Sequence, residues 1–393
     1  MKLKQHNIYE SLFDFKAIQN KTDLMFLALS DPENLARVYD EVAAGSGGGS
    51  IACIKYGQRK FSNSLKLSNL LRYNQYQVQA CSHFVVIDTK RREINAPAFV
   101  DRIVQHALYD FIQPIFEHSF IFHSYACRDR KGMHRTARTF QQHLRHVCKS
   151  HEKPYIVQAD ISKYFLSVNI QRLFNIIYTK LYDSPNTCEL CRKILLRYAT
   201  TAGTGIPVGA LTSQLFANLY LNEIDHLFTD EYPSLFYIRY MDDIAIFCKD
   251  KNDAKYKLRL LEEHLHRILL KLNPKTKILP ARIGTDFCGY RIRTDCLLPR
   301  KRNVKKFRHF LKSVFRDKNH LPVSEDALHN VKQKLASFVG YMKPCNKQDI
   351  MQHLYLEYPE LEKLIPLTQI LAELTQVVEE PDEYLEDEPD MCW

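Results

Sequence analysis

Two adjacent carboxylates, Asp242 and Asp243, are the residues of this chain with the clearest capacity for chemistry. They stand between two runs rich in apolar, β-branched and aromatic residues, 235–239 and 244–247, a pattern that predicts two strands joined by a tight hairpin. Two anions about 4 Å apart repel by roughly 4 kcal/mol at an effective dielectric of about 20, so a fold that fixes them at a turn normally supplies a cation. Carboxylate oxygens favour a hard cation such as Mg²⁺, although a solvated acidic turn fits these residues alone equally well.

A third acid, Asp160, ends a short apolar run that begins at Tyr155. An acid at the end of one strand and an acid pair on a neighbouring hairpin can hold two metal ions about 3.5 to 4 Å apart, the geometry that stabilises both oxygens of an in-line phosphoryl displacement. The predicted reaction class is therefore nucleotidyl transfer. Asp160 taken alone fits a strand-end or capping acid, so its assignment as a metal ligand depends on the presence of the other two acids.

The sequence around these acids alternates between helical and strand patterns. Apolar residues at helical spacing predict helices over 7–42, 98–116, 256–268 and 300–317. Pro114 is expected to close the second of these helices. Strand patterns cover 81–94 and 283–293, in addition to the strands that carry the acids.

Six segments, in order along residues 90–290, resemble the motifs of a reverse transcriptase. The fingers motifs are matched at 90–94 and 124–128, the three palm motifs at 158–165, 205–218 and 240–243, and the primer grip at 287–290. The resemblance implies an α+β right-hand polymerase with fingers, a palm of antiparallel sheet plus helices, and a helical thumb. The palm strands would then hold Asp160, the 236–247 hairpin and the 283–293 segment.

Details of these motifs most resemble the reverse transcriptases of bacterial and phage diversity-generating retroelements. The details are the Ser213-Gln214 pair, the Val208-Gly209 pair and the 124–132 stretch. This subfamily implies error-prone copying of template adenines, with a template-repeat RNA, its cDNA, dNTPs and a small basic oligomeric accessory variability protein as partners. Two alternatives stay open: an antiphage-defence reverse transcriptase that makes untemplated or protein-primed DNA, and a non-catalytic RNA-binding scaffold.

The resemblance also implies roles for single residues. Two Mg²⁺ ions, or Mn²⁺ in their place, would be held by Asp160, Ile161 through its carbonyl, Asp242 and Asp243. Nucleotide-binding residues would be Lys90, Arg92, Ser162, Lys163, Tyr164, Phe165, Val208, Gly209 and Gln214. The primer grip would be Phe287, Cys288, Gly289 and Tyr290. Contacts with the RNA or DNA backbone would come from Arg128, Lys131, Lys305, Arg308, Lys312 and Arg316.

Four of these assignments have a stated mechanism and a structural alternative. Lys90 and Arg92 share one face of a predicted strand and could bind a triphosphate, or form a basic surface strand. Phe165 would exclude a ribose 2′-OH, or serve as a core aromatic. Val208 stands where relatives have a glutamine. The loss of that hydrogen-bonding side chain would lower the discrimination between correct and incorrect nucleotides, or Val208 would be a core packing residue. Lys275, with Lys277 as the alternative, could protonate the leaving pyrophosphate, and both also fit surface charges.

Composition agrees with a nucleic-acid enzyme. The chain has 393 residues, is 45% hydrophobic and carries a net charge of +10. Residues 379–390 hold eight acids and no base, so the remainder is more basic than the whole by eight charges. Excess positive charge of this size favours a polyanionic partner, although a merely basic protein fits the same numbers.

The predicted organisation has four parts and one foreign segment. N-terminal helices and fingers cover 1–150, the palm with interleaved helices 151–295, the thumb 296–375, and a disordered acidic tail 376–393. Residues 45–50 form a Gly/Ser tract that we interpret as an engineered linker replacing a deleted loop.

Cysteine usage predicts the compartment. Eleven cysteines, an odd number, and no signal peptide pattern indicate reduced thiols in the cytoplasm of a bacterial or phage-infected cell. Cys188 and Cys191 have the spacing of zinc ligands, but free thiols on a helix are the default interpretation. No apolar run is long enough to cross a bilayer.

Overall fold

The structure, a computed structural model, describes residues 23–45, 48–87, 91–316, 324–345 and 348–375 of the 393-residue chain. The predicted helical residues before 23, the predicted strand residue Lys90, residues 46–47 of the Gly/Ser tract and the acidic tail lie outside the described residues. The chain divides into two compact units. They are Met1–Arg130 with Val157–Cys248 and Asn252–Ile278, and Lys131–Ile156 with Lys249–Lys251 and Leu279–Trp393.

Helices make up most of the described chain. The α-helices are α1 (Leu24–Leu29), α2 (Pro32–Ala44), α3 (Ile51–Gly57), α4 (Lys60–Arg72), α5 (Phe99–Glu117), α6 (Met133–Ser150), α7 (Tyr164–Ser167), α8 (Ile170–Lys180), α9 (Pro185–Tyr198), α10 (Leu211–His226), α11 (Lys251–Arg267), α12 (Lys301–Phe315), α13 (Glu325–Met342), α14 (Gln348–Glu357) and α15 (Leu367–Thr375). The strands are β1 (Ser82–Ile87), β2 (Arg91–Ala96), β3 (Tyr155–Asp160), β4 (Phe236–Tyr240), β5 (Asp243–Cys248), β6 (Lys277–Pro280), β7 (Thr285–Phe287), β8 (Tyr290–Ile292) and β9 (Leu297–Pro299).

Helix ends follow local capping chemistry. Pro32 opens α2 directly after Asp31, whose carboxylate accepts a hydrogen bond from the Glu33 N–H at 2.9 Å. Ser50, the last residue of the Gly/Ser tract, caps α3 by accepting from the Cys53 N–H at 3.3 Å. The tract therefore lies between the end of one helix and the cap of the next.

The helix predicted over 98–116 is confirmed as α5, which ends at Glu117, shortly after Pro114. Pro114 lies in the last turn, where its ring removes one helical hydrogen bond and leaves the earlier turns intact. Ile112 and Phe116 are completely buried, so packing on either side of the proline stabilises this final turn.

Antiparallel pairing dominates the first unit. β1 and β2 form the predicted hairpin, with Ser82 opposite Ala96 and Ile87 opposite Arg91. A four-stranded sheet has the order β4-β5-β3-β6, and β4 and β5 are antiparallel. Every residue of β5 after Asp243 is buried, which explains its continuous apolar sequence. The antiparallel pairs and the helices confirm the predicted α+β class.

One predicted strand segment belongs to a different sheet. Residues 283–293 do not join the strands of the acids; β7 and β8 lie in a separate three-stranded sheet with β9. The fourth strand beside β3 is β6 instead. Local alternation predicts a strand but not its neighbour, because pairing depends on the long-range path of the chain.

The helices of the second unit pack through aromatic residues. Phe307 of α12 stacks on Phe338 of α13 with ring centroids 4.3 Å apart. On α12, Phe307 and Leu311 are buried, whereas Phe310 and Val314 are half-buried. Across the described ranges, no helix combines the length and apolarity that a bilayer crossing requires.

Candidate active site

The acid pair lies at the tip of the β4–β5 hairpin. Tyr240 and Asp243 are the last paired residues, so Met241 and Asp242 form a two-residue loop. Met241 has a φ of 57°, a positive value that such loops require and that glycine normally supplies. A non-glycine residue there costs about 1–2 kcal/mol, so the surrounding structure must hold the loop in place. Asp242 and Asp243 are both half-exposed at this tip.

Asp160 lies on the strand next to the acid pair. It is the last residue of β3, and β3 is the hydrogen-bonded neighbour of β5, which begins at Asp243. Asn273 fixes it twice, because its side-chain amide donates to Asp160 Oδ2 at 2.8 Å and its backbone N–H donates to the Asp160 carbonyl at 2.7 Å. The carboxylate therefore has a defined orientation. Ile161, the next residue, is buried and bridges to Leu272.

A fully buried arginine fixes the hairpin from within. Arg239 of β4 donates from Nε and Nη2 to the two oxygens of Asp225, each at 2.6 Å, and both side chains are completely buried. Arg239 Nη1 donates to Asn218 Oδ1 and to the carbonyl of Met241, both at 3.0 Å. Arg239 Nη2 also donates to Ser124 Oγ at 2.9 Å. The bond to Met241 holds the strained residue directly before Asp242.

Electrostatics keep this arginine charged. Burial by itself would lower the pKa of Arg239, but the charge and hydrogen bonds of Asp225 outweigh it and leave that pKa raised. The network also joins distant parts of the sequence, since Ser124 lies in the 124–128 segment and Asn218 ends the 205–218 segment. Asn218 binds the 124–128 segment directly as well, donating to the Ala126 carbonyl at 2.8 Å.

Three predicted nucleotide-binding segments meet in the first unit. The Ile206 N–H donates to the Phe165 carbonyl at 2.8 Å, and the Asn95 N–H of β2 donates to the Val208 carbonyl at 3.1 Å. These bonds place the residues after Asp160, the 205–209 loop and the β1–β2 hairpin side by side. Arg92 lies in the same hairpin strand as Asn95.

Other predicted residues of these segments differ in exposure. Phe165, Val208, Ser162 and Gln214 are half-buried, and Lys163 is exposed. Gly209 has a φ of 109°, and a Cβ there would meet Ile94 at 3.1 Å, so both the conformation and the space favour glycine.

Two predicted contact residues are occupied within the fold. Tyr164 is buried, its hydroxyl donates to the Ala217 carbonyl at 2.5 Å, and burial raises its pKa well above the ordinary value. Arg128 pairs with Glu117 at 2.7 Å and donates to the carbonyls of Ile121 and Ser124. These contacts indicate packing roles, and we leave both residues out of the proposed substrate contacts.

The two candidate general acids occupy different positions. Lys275 is exposed, and its N–H donates at 3.1 Å to Oδ1 of Asn273, the residue that holds Asp160. Lys277 is the first residue of β6 and is exposed as well. This bond is made by the backbone of Lys275, so it places that backbone near Asp160 and leaves Lys275 and Lys277 as alternatives.

The predicted primer grip is a tight turn in the second unit. Cys288 and Gly289 join β7 and β8 with φ values of 43° and 86°, the two positive angles of a type I′ hairpin. The Tyr341 hydroxyl donates to the Gly289 carbonyl at 2.7 Å, and the Tyr290 hydroxyl donates to the Tyr341 carbonyl at 2.9 Å. The two tyrosine rings stack with centroids 5.0 Å apart. Phe287 is buried beside Phe140.

The predicted backbone contacts of α12 fall into two groups. Arg308 pairs with Glu357 at 2.8 Å and Arg316 with Glu360 at 2.5 Å, so the positive charge of each arginine is offset by an acid of the same unit. Lys305 and Lys312 are exposed on the same helix, and Lys131 is half-buried.

The donor set at the hairpin suits a hard divalent cation. Asp160, Asp242 and Asp243 offer half-exposed carboxylate oxygens on adjacent strands. In the part of the chain that the structure describes, no group of three or more His, Cys, Asp or Glu side chains is arranged so that these side chains alone could hold a metal ion. Mg²⁺ needs no such cage, because it is bound by one or two carboxylates together with substrate phosphates. The residues therefore fit the metal.

The CxxC pair lies on a helix, as predicted. Cys188 and Cys191 are buried in α9 as free thiols. Burial raises the pKa of Cys188 to about 12 and that of Cys191 well above its ordinary value, so both remain protonated at neutral pH.

Sequence reasoning missed the residues that hold the acids. Arg239 carries a signal, because a charge between Ile238 and Tyr240 in an apolar strand must be paired if it is buried. The identity of its partner, Asp225, carries no comparable signal. The sequence also gives no indication of the role of Asn273, because its contact with Asp160 arises from the tertiary fold.

Known proteins share this sequence pattern. A family model described as reverse transcriptase (RNA-dependent DNA polymerase) matches residues 86–292. The chain is 26% identical over 245 residues to Protein YkfC of Escherichia coli K12, which covers 52% of this chain and 63% of YkfC. It is 25% identical over 206 residues to the group II intron-encoded protein LtrA of Lactococcus lactis, covering 49% of this chain and 32% of LtrA. The chain thus spans less than two thirds of either relative.

Solved structures give a weaker likeness. The telomerase of Candida albicans in complex with a telomeric RNA fragment has a TM-score of 0.44 at 12% identity, over 80% of this chain and 64% of that one. The apo telomerase of Candida tropicalis has a TM-score of 0.46 at 12% identity, over 80% and 67%. The family match alone covers more than half of the chain and includes all three acids. The chain therefore belongs to the reverse transcriptase (RNA-dependent DNA polymerase) family.

Proposed function

We propose that this protein copies an RNA template into DNA by nucleotidyl transfer, as part of a diversity-generating retroelement. The observation that carries the proposal is that Asp160 ends β3, the strand hydrogen-bonded to β5, which begins at Asp243, within a chain of the reverse transcriptase family. The net charge of +10 suits an RNA template and a cDNA product. The remaining partners are dNTPs, a template-repeat RNA and a small basic accessory protein.

The acids would hold two Mg²⁺ ions, or Mn²⁺, through Asp160, Asp242, Asp243 and the carbonyl of Ile161. When bound, the metal supplies stabilisation of negative charge on the primer oxygen and on the leaving pyrophosphate. The protein contributes orientation, because Asn273 fixes the Asp160 carboxylate. Lys275, held through the same asparagine, would donate a proton to the pyrophosphate.

The incoming nucleotide would lie beside the 205–209 loop. Lys90 and Arg92 would bind its triphosphate; the hydrogen bond from Asn95 to Val208 brings their hairpin to this loop and supports the assignment. Ser162, Lys163, Gly209 and Gln214 complete the proposed nucleotide site. Phe287, Cys288, Gly289 and Tyr290 would support the primer end.

Phe165→Ala is expected to raise ribonucleotide incorporation relative to deoxyribonucleotide incorporation by about 10–100-fold. The half-buried ring would otherwise occupy the space of a ribose 2′-OH. Primer extension with each nucleotide class measures the ratio. Phe165→Tyr retains the ring and serves as the matched control. Unchanged sugar selectivity in the alanine variant would make Phe165 a packing residue only.

Low base selectivity is the finer part of the proposal. Val208 is half-buried and offers no side-chain hydrogen bond to a templating base, so a mispaired nucleotide leaves no unmade bond at this position. Wild-type products copied from a defined RNA are therefore expected to show more substitutions opposite adenine than opposite the other bases. One restored hydrogen bond is worth about 1 kcal/mol, so Val208→Gln should lower this error rate by roughly fivefold.

Sequencing of the DNA copied from a defined RNA measures these errors and tests the whole proposal. Val208→Ile changes packing without adding a donor and should leave the errors unchanged. Uniform fidelity opposite all four bases would remove the diversity-generating assignment. DNA made without a template or covalently attached to the protein would support the antiphage alternative, and absence of any dNTP incorporation would support the scaffold.

A further inference from the structure

The three-stranded sheet of the second unit has one buried face and one accessible face. In β7, β8 and β9 the first and last residues are buried and the central residue is half-exposed. The central residues Asp286, Arg291 and Leu298 pair across the strands, so they share the accessible face. Arg293 and Arg300 each lie two residues beyond a member of this row and extend it.

A cavity of about 460 Å³ opens over this face. Charged residues dominate its lining: Asp286, Arg291, Arg293, Arg300, Lys301 and Arg302, which we call the basic pocket. Five positive charges against one negative charge leave a local excess of four. Leu298 and Pro299 supply the rest of the lining.

The single acid leaves its arginine partners incompletely satisfied. Asp286 lies 3.6 Å from Arg291 and 3.7 Å from Arg300, and one carboxylate cannot neutralise both. The Nε of Arg300 is the buried atom that faces Asp286, at a distance too long for a hydrogen bond. One carboxylate in this position cannot also neutralise Arg293, Lys301 and Arg302, so the lining keeps an excess of positive charge that favours an anion.

The start of α12 adds backbone donors at the same place. Arg300 is the N-cap of this 15-residue helix and makes no side-chain capping bond, while Lys301 and Arg302 of the first turn line the pocket. The first N–H groups of a helix and its dipole favour an anion. Arginine forks and helix N–H groups together are the donors that bind phosphate oxygens.

We propose that the basic pocket binds consecutive phosphates of a nucleic acid backbone, independently of base sequence. The lining offers cations, an aliphatic side chain and a proline, and thus no aromatic platform on which a base could stack. The inference rests on the proposed function for its partner, an RNA template or its cDNA duplex. In this proposal the basic pocket holds the nucleic acid, whereas the incoming nucleotide binds at a different site, in the first unit.

The test uses the full chain and a fluorescent RNA–DNA duplex, with no divalent metal and no dNTP, so that binding is measured without catalysis. Arg293, Lys301 and Arg302 are exposed, and their triple replacement by alanine spares the core. We expect weaker binding by about tenfold at moderate salt. The slope of log binding constant against log salt should fall by about 2.7, since each of the three lost phosphate contacts removes about 0.9.

Matched variants separate the pocket from general charge. The alanine triple of Lys149, Lys332 and Lys363 removes the same charge from exposed positions of the same unit. Arg293→Lys with Arg302→Lys keeps the pocket charge and should retain the wild-type slope. Equal losses in both alanine triples, or an unchanged slope in the pocket triple, would overturn the proposal.

Two further outcomes have defined meanings. If the alanine triple of Arg293, Lys301 and Arg302 had a higher KM for dNTPs and unchanged duplex binding, the pocket would be assigned to a free nucleotide and the inference would be overturned. A wild-type protein that binds duplex through the pocket but incorporates no dNTP would contradict the proposed function and leave the pocket standing. The two proposals therefore fail separately.

Discussion

Asp242→Asn is expected to reduce primer extension by at least about a thousandfold. The substitution keeps the shape of the side chain and removes one charge from the proposed metal ligands at the hairpin tip. Metal stabilisation of the transferring phosphoryl group is worth several kcal/mol, and each 1.4 kcal/mol or so corresponds to a tenfold rate. Single-turnover extension on an RNA template measures the loss.

Binding provides the contrast in this experiment. Asp242→Asn should retain RNA affinity, measured by fluorescence anisotropy, because removing an anion does not weaken phosphate contacts. Asp129→Asn is the control, since the Asp129 side chain is 90% exposed and its loss of charge should leave extension unchanged. Retained polymerisation in Asp242→Asn would refute the assignment of the acids.

Arg239→Met should destabilise the first unit by about 3–5 kcal/mol. Asp225 would remain buried without its bidentate partner, and an uncompensated buried charge carries this penalty. Hydrogen exchange of the β4 and β5 amides reports the loss. By comparison, Arg308→Ala breaks an exposed ion pair with Glu357 and should cost less than about 1 kcal/mol.

A double variant separates stability from positioning. Arg239→Met with Asp225→Leu replaces the ion pair by apolar groups and should recover most of the stability. It cannot restore the hydrogen bond to the Met241 carbonyl, so the rate of extension should stay below wild type with the KM for dNTPs unchanged. Full recovery of that rate would limit Arg239 to a role in folding.

Short-range sequence signals predicted the strands that carry the acids. An apolar run that ends in Asp160 and two runs around a tight acidic turn each specify their structure within about ten residues. Local patterns also predict the basic helix after Arg300 and the helix over 256–268. Both helices are confirmed, as α12 and α11.

Long-range relations were beyond those signals. The 283–293 segment was correctly predicted as strand but placed in the wrong sheet, because periodicity does not specify the partner strand. By contrast, the helix predicted over 98–116 matches α5 closely, and Pro114 lies in its last turn, where a proline is tolerated.

Motif membership also did not say which side chains reach the surface. Tyr164 stands between Lys163 and Phe165 in one motif, yet its hydroxyl binds the Ala217 carbonyl within the core. Arg128 likewise pairs with Glu117 and donates to backbone carbonyls of its own segment. Both needed the three-dimensional packing to be distinguished from substrate contacts.

The reciprocal bonds between Tyr341 and the Cys288-Gly289 turn have a mechanical consequence. Tyr341 belongs to α13 and is bound to Gly289 and to Tyr290 on either side of one stacked ring pair. A slide of α13 by a single residue would break both bonds together and separate the stacked rings. The turn and this part of α13 are therefore expected to move as one body, so a shift of the helix would displace the backbone at Gly289 by a similar distance.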